Sequence, residues 1–286
     1  MFAIFGSGRP LGIDFGEKIK IAEYTKNSFR EETVEHLDRK ALKKFSGRDA
    51  VTAVAGEKIN IKFIEIANKM TGDEISRLVE LEFNNENLVV QQEIVSEFPQ
   101  KFVIGMGIDR EIIEDILNRC RSLGLRLQAV ETEFHANVRY LFHHYPALGE
   151  NIILIIDIGR NHTNLTVTRN REVGFIRVLN TGGRQMTEKL ASIEDISFHS
   201  AEEEKKLGPG DEKVRILLED LKNQIYHSID YFQSEYRAEI EQIFLTGGGA
   251  LLEGIEGYLE DTIGINTRKV HEPLSSVSRG LALREN

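Results

Sequence analysis

Two aspartates stand at matching places in this chain. Asp14 closes the apolar run of "LGIDFG" and Asp157 that of "LIIDIG", and a glycine follows each two residues on, Gly16 and Gly159. A carboxylate at a strand end beside a glycine turn offers a hard oxygen ligand together with exposed backbone N–H groups. The N–H groups suit phosphate oxygens, and the carboxylates suit Mg²⁺, usually through water because Mg²⁺ dehydrates reluctantly. Beyond the second glycine come Arg160, Asn161, His162 and Thr163, a tip with good hydrogen-bond donors. A third feature is "IFLTGGGALLEG", in which Gly247, Gly248 and Gly249 lie between the short strand run Ile243 to Leu245 and apolar residues at helical spacing. Such a turn directs N–H groups and the positive end of a helix outward, and glycine lets a ligand touch the backbone. The turn has neither the Lys and Ser/Thr of a P-loop nor the spacing of a dinucleotide fingerprint. Together the three features point to a metal-bound polyphosphate clamped by two hairpins, with the glycine turn leaving room for its nucleoside.

The elements that must position these residues are repeated. "LGIDFGEKIKIAEY" and "LIIDIGRNHTNLTV" each read as an apolar strand, a polar tip and a second alternating strand, and Asp157 follows Asp14 by 143 positions in a chain of 286. That spacing is the mark of a duplicated fold. A third strand follows each hairpin, "SFREETVEHL" and "EVGFIRVLN", and a helical stretch follows each of those. Between the halves, "TAVAGEKINIKFIEI" reads as a strand pair, "TGDEISRLVELEFNN" as a helix with the capping-box spacing Thr71 to Glu74, and "LVVQQEIV" and "KFVIGMGI" as two more strands. This is a small α/β insert. Asp109 is placed to cap a helix whose apolar face carries Ile112, Ile113, Ile116, Leu117, Cys120 and Leu123, with Gly124 ending it. In the second half the charged stretch from Ser200 to Lys213 predicts a helix end, a mobile loop and a solvated face. The longest helix runs from Asp211 to about Tyr236, with Val214, Leu217, Leu218, Leu221, Ile225, Ile229 and Phe232 as its core stripe.

Composition excludes several classes. A formal net charge of -10 with scattered Lys and Arg argues against nucleic-acid binding. One cysteine, Cys120, on an apolar helix face, excludes a disulfide framework. The most apolar run, Ile152 to Ile156, is far shorter than the roughly 20 residues a bilayer span needs. The opening "MFAIFGSGRP" has no basic region of the kind that starts a signal peptide. His143 and His144, adjacent on a helix, are expected to point apart and not to form a metal pair.

The motifs "GIDFG", "IIDIGRNHTNLTV" and "IFLTGGGALLEGI" resemble the actin-like ATPase superfamily, and within it the PilM family of type IV pilus assembly proteins, including its MshI-type variants. The likeness continues through "AVETEFHANVRYL", "NTGGRQMTEKLA", "ISFHSAEEEKKLG", "LKNQIYHSIDYFQSEY" and "SRGLALRE", so it spans nearly the whole chain. What it implies is an α/β, actin-like, duplicated ribonuclease-H-like fold of two lobes: lobe one over 1–148 with the insert at about 50–105, lobe two over 149–269, and 270–286 returning to lobe one. It further implies ATP with Mg²⁺ in the interlobe cleft. Asp14 and Gly16 match the first phosphate hairpin, Asp157, Gly159, Asn161 and Thr163 the second, and Gly247, Gly248 and Gly249 the adenosine turn. Gly182 and Gly183 match a family Gly-Gly, and Glu133 a family acid that orients water. The first tip departs from the pattern, because Glu17 and Lys18 replace the usual Ser and Thr run. Lys18 then serves as a point charge, Glu17 must turn away, and any turnover is expected to be slow.

The function implied is that of a cytoplasmic assembly protein, peripheral to the inner membrane through the N-terminal tail of a PilN-like partner, with the insert's sheet edge receiving that tail. The acidic surface favours a basic tail. Self-association is left open. A small-molecule kinase of the same superfamily and an FtsA-like division protein are the alternatives; the first would need an acceptor site and the second a C-terminal amphipathic helix.

Overall fold

Three sheets account for the strands, and the computed structural model that shows them describes residues 9–67, 69–98 and 101–285. Most of the opening stretch read above as lacking a signal peptide, residues 1–8, lies outside those residues. The chain divides into two units, one of residues 1–96, 101–146 and 275–286, the other of 97–100 and 147–274.

In the first unit, β1 (Leu11–Phe15), β2 (Ile19–Thr25) and β3 (Ser28–Val34) form an antiparallel meander. The β2–β3 turn is two residues, Lys26 and Asn27, both at positive φ as a type I′ turn demands. A single helical turn, α1 (Arg39–Leu42), leads to β4 (Asp49–Val54), which lies parallel to β1. After β4 the chain leaves this sheet for a smaller one of β5 (Ile59–Glu65), β6 (Leu88–Val95) and β7 (Phe102–Asp109), with α2 (Gly72–Phe83) on one face. The run read from sequence as one strand pair is thus two strands in different sheets. Both halves of it alternate, but β4 is buried over most of its length, as a central parallel strand is, and a short 3₁₀ turn over Gly56–Lys58 hands the chain on to β5. The small sheet therefore starts near residue 59 and not 50. Then α3 (Arg110–Leu123) returns to β8 (Arg126–Thr132), the last strand of the main sheet, and α4 (Glu133–His144) follows.

Local chemistry explains these boundaries. Thr71 and Glu74 form both halves of the capping box, since Thr71 Oγ1 accepts from Glu74 N and Glu74 Oε2 accepts from Thr71 N at 2.7 Å. Gly124, at φ 76°, closes α3 with N–H bonds back to Arg121 and Cys120 carbonyls. Asp109 occupies the capping position of α3 without a side-chain hydrogen bond, because β7 runs through to it. Gly105 and Gly107 lie within β7: a Cβ on either would come within 2.7 Å of the Phe83 ring, so their bareness seats that ring of α2. Leu11, Ile13, Ile19 and Ile21 pack with Cys120 in one core cluster of the unit.

The second unit repeats the first sheet's plan. Strands β9 (Ile153–Ile158), β10 (Thr163–Arg169) and β11 (Glu172–Leu179) form the meander, again with a positive-φ pair, Asn170 and Arg171, in the β10–β11 turn. Here α5 (Gly183–Glu194), α6 (Phe198–Lys205) and α7 (Glu212–Tyr236) precede β12 (Gln242–Thr246), and α8 (Ile255–Ile263) precedes β13 (Thr267–Lys269). The orders are β3-β2-β1-β4-β8 and β11-β10-β9-β12-β13, with the same antiparallel and parallel pairings in each. The duplication anticipated from the two aspartates is complete at the level of sheets. All seven residues of the expected α7 stripe are buried, and Asp211 caps that helix.

The last helix, α9 (Ser276–Ala282), belongs to the first unit. Its backbone lies against β1 and α4: a Cβ on Gly12 would sit 1.9 Å from the Ser278 carbonyl, and one on Gly280 as near to that of Ala136. Two arginines hold it there. Arg279 donates to Glu31 at 2.7 Å and lies over the Phe29 ring, and Arg139 of α4 donates to the Gly280 carbonyl and to Glu131.

Candidate nucleotide-binding hairpins

In the first unit, Asp14 sits one residue from the end of β1 and directly opposite Lys20 of β2. The pair is an ion pair at 3.2 Å, and Asp14 is buried. Lys20 escaped the sequence reading. Its signal was its place, six residues after Asp14 across a short hairpin, which puts both side chains on one face. Gly16, Glu17 and Lys18 are exposed, and a Cβ on Gly16 would meet only ordinary contacts at 3.5 Å and beyond. Glu23, further along β2, is a buried carboxylate that accepts from Ser46 and from the N–H of Gly47, tying β2 to the loop before β4. Glu133 starts α4 and accepts from Gly56 N at 3.3 Å, so its carboxylate spans α4 and the turn after β4.

In the second unit, Asp157 lies opposite Asn164 of β10 and beside Thr246 of the parallel β12. Its hairpin is built into its surroundings. Gly159 N donates to the His162 carbonyl, while the first N–H groups of α5, from Gly183 and Arg184, donate to the Gly159 and Arg160 carbonyls at 2.9 and 2.7 Å. Gln185 spans the junction, accepting from Gly182 N and donating to the Asn161 carbonyl. Gly182 is required here, since a Cβ would meet the Arg160 carbonyl oxygen at 2.5 Å. Thr163 is fully buried and donates its hydroxyl to the Thr181 carbonyl at 2.7 Å. It therefore fastens the hairpin, and the phosphate donor read into that position is spent internally. Asn161 is exposed at the tip.

The three glycines after β12 serve three different needs. Gly247 has φ 79°, and a Cβ there would lie 2.4 Å from the Asp157 carboxylate. Gly249 packs on Ile158, where a Cβ would come within 2.2 Å of its side chain. Only Gly248 faces open space. Of the three glycines expected to clear room for a ligand, Gly248 has open space beside it, and the other two let β12 cross closely behind the end of β9.

Beneath the start of α5 lies a buried lysine. Lys205 Nζ donates to the Gly183 carbonyl, to Thr187 Oγ1 and to Glu202 at 2.8, 2.6 and 2.9 Å. The helix end expected in the stretch from Ser200 is there, since α6 stops at Lys205; in place of the expected loop the chain makes a 3₁₀ turn over Gly208–Gly210, and one lysine of the charged run, Lys205, is buried against α5. Burial works to raise the Glu202 carboxyl, and the hydrogen bonds from Lys205 and Thr187 outweigh it and leave it below its ordinary range. His143 and His144 do not point apart either. Their rings meet edge to face at 5.1 Å within an aromatic cluster that includes Tyr24 and Phe29. Among the described residues, no three His, Cys, Asp or Glu side chains converge as a direct metal cage.

Two sheets of one topology, each with an acid-tipped hairpin, and a glycine turn behind the second acid define an actin-like ATPase fold. Solved structures of that fold are similar along almost all of the chain: the "PilM-PilN type IV pilus biogenesis complex" at 22% identity and TM-score 0.82, covering 97% of this chain and 98% of that one; ethanolamine utilization protein EutJ from Carboxydothermus hydrogenoformans at 16% and 0.60, covering 98% and 90%; and MreB5 of Spiroplasma citri bound to ADP at 14% and 0.57, covering 96% and 95%. A family model described as type IV pilus assembly protein PilM matches residues 18–285. The chain belongs to that family.

Proposed function

We propose that this chain is a cytoplasmic assembly protein of a type IV pilus or related secretion system that binds ATP with Mg²⁺ and holds the cytoplasmic N-terminal tail of a PilN-like inner-membrane protein. The observation that carries the nucleotide reading is the matched pair of hairpins, with Asp14 and Asp157 each one residue from a strand end and each followed by a glycine turn. Asp14, Gly16 and Lys18 are the groups the first hairpin offers to phosphate and metal, Asp157, Gly159 and Asn161 those the second offers, and Gly248, between Gly247 and Gly249, leaves room for the nucleoside. The donor set fits a hydrated Mg²⁺ better than a protein cage, since two carboxylates are available and one of them is already paired with Lys20. Bound Mg²⁺ would neutralise phosphate charge. Saturating Mg·ATP is expected to raise the melting temperature by mass action, and Asp157→Asn to remove the shift. No shift and no calorimetric heat with the unaltered protein would overturn this reading. Turnover is expected to be slow, and the Glu133→Gln rate tests whether that carboxylate orients water or serves only Gly56.

For the partner, family membership is supported by the shape of the small sheet. Its order β5-β7-β6 leaves β5 and β6 as edge strands, and Phe63 of β5 and Ile94 of β6 are exposed. An extended peptide can add to such an edge through backbone hydrogen bonds, with alternate side chains in pockets. No helix of the described residues is long and apolar enough to cross a membrane, and the tail of a membrane partner would supply the attachment. Because β4 belongs to the main sheet, edge substitutions probe the insert more cleanly than its deletion. A synthetic peptide of the partner's tail is expected to bind with micromolar affinity, with Phe63→Glu or Ile94→Glu abolishing it. Equal binding by both variants would sink the edge mode.

A further inference from the structure

Glu97 and Phe98 interrupt the first unit. The strands before and after them, β6 and β7, are hydrogen-bonded neighbours whose pairing closes at Val95 and Phe102. Joining such neighbours requires only a turn, yet Glu97 and Phe98 belong to the second unit. There Phe98 is 5% exposed, its ring 6.0 Å from those of Phe232 and Tyr236 of α7 and steeply inclined to both. The floor under it is Gly174 of β11, where a Cβ would stand 2.0 Å from the Phe98 ring. Gly174 is also where the β10–β11 register slips: Val167 pairs with Phe175 and Thr168 with Val173, leaving Gly174 as the extra residue of a bulge. Bulges re-aim a strand and are built features. Polar bonds fix the backbone beside the ring. Glu97 N donates to Glu172 at 2.7 Å, Asn170 donates to the Glu97 carboxylate at 2.6 Å, and the Arg169 guanidinium donates to the Glu97 carbonyl at 3.3 Å.

All of these partners except α7 lie at one end of the β10–β11 hairpin. The other end of β10 begins at the tip that follows Asp157. We propose that Glu97 and Phe98 are a tether through which the state of the second hairpin is passed to the β5-β7-β6 sheet, so that a nucleotide held at Asp157 alters the partner-binding edge. The proposal rests on the nucleotide reading above. Its physical basis is that β6 and β7 are covalently continuous with a buried anchor in the other unit. When β10 and β11 shift, either the small sheet follows or the Phe98 ring leaves its pocket, and exposing a buried aromatic side chain is unfavourable.

Hydrogen exchange of the full chain with and without Mg·ATP tests this, using the unaltered protein, Phe98→Ala, and Gly174→Val, which fills the pocket while leaving residue 98 intact. In the unaltered protein Mg·ATP is expected to slow exchange in β6 and β7 on the order of fivefold, a typical coupling between linked sites. Both variants should lose that change while keeping the thermal shift and the protection around Asp157. The tether is overturned if β6 and β7 respond equally in the variants, or if they fail to respond in the unaltered protein while the Asp157 hairpin does. The absence of both a thermal shift and protection at Asp157 would overturn the nucleotide reading and the tether together.

Discussion

Asp14 faces a lysine across its hairpin, and Asp157 faces an asparagine across the corresponding one. The sheets around them are the same in order and direction, yet the tips are held differently. Four contacts fasten the second tip: two N–H groups of α5, the Gln185 side chain, and the close crossing of Gly247 behind Asp157. In the first half, where α5 would correspond, there is only the single turn of α1, and Gly16 to Lys18 stay exposed. A duplicated fold thus preserves its strands and can let its loops diverge. The second hairpin is pre-organised, whereas ordering the first on a ligand costs conformational entropy at the moment of binding.

The largest effect should come from the crossing behind Asp157. Gly247→Ala is expected to destabilise by about 3 kcal/mol, from a left-handed φ and an overlap with the carboxylate, while Gly16→Ala should stay within about 0.5 kcal/mol. Equal midpoints for the two variants in chemical denaturation would erase the distinction between the hairpins. Next comes the support under α5. Lys205→Met is expected to cost about 2 kcal/mol, because it leaves Glu202, Thr187 and the Gly183 carbonyl without their shared donor, and Glu202 is half-exposed enough to soften the loss. Lys20→Met should cost less, about 1 kcal/mol, since Lys20 is partly solvated and makes one bond. A Lys20 variant that melts as low as the Lys205 variant would show the first tip to be as firmly built as the second.

The smallest effect is one of pH. The Glu202 carboxyl is depressed in the folded state, so the unfolded chain binds more protons and the stabilisation is present above the ordinary glutamate value of 4.5. It is lost as pH falls below that value through the folded one. Glu202→Gln should flatten this part of the acid limb in pH-dependent melting, and an unchanged limb would remove Glu202 from the account.

Much of the frame was legible because chemistry and period coincide in it. The repeated Asp-x-Gly, the strand pairs around it and the α7 stripe each carry a pattern that water and the core enforce locally. The features that escaped depend on what lies across from them. Lys20 is one more charged residue in an alternating strand until the register sets it against Asp14. Lys205 sits in a charged run of the kind that normally faces solvent, and only the packing of α6 on α5 buries it. β4 joined the wrong sheet in the reading because alternation does not say which neighbour a strand will take. Gly105 and Gly107 are two bare positions in a strand until the fold sets a phenylalanine of another element against them. Phe98 lies in a short link without periodicity, so nothing in its own stretch announces a buried ring.

The placement of α9 has a consequence for how the molecule is made. A ribosome emits β1 well before the helix that covers Gly12, so that face of the sheet waits until the whole of the second unit has been synthesised. The second unit, almost all of it one continuous stretch from residue 147 to 274, carries its own core and can settle while the rest is still being synthesised. Completion of the first sheet is then a closure across the whole of the second unit, the kind of long-range step that is slow and leaves apolar strands open to wrong partners in the meantime.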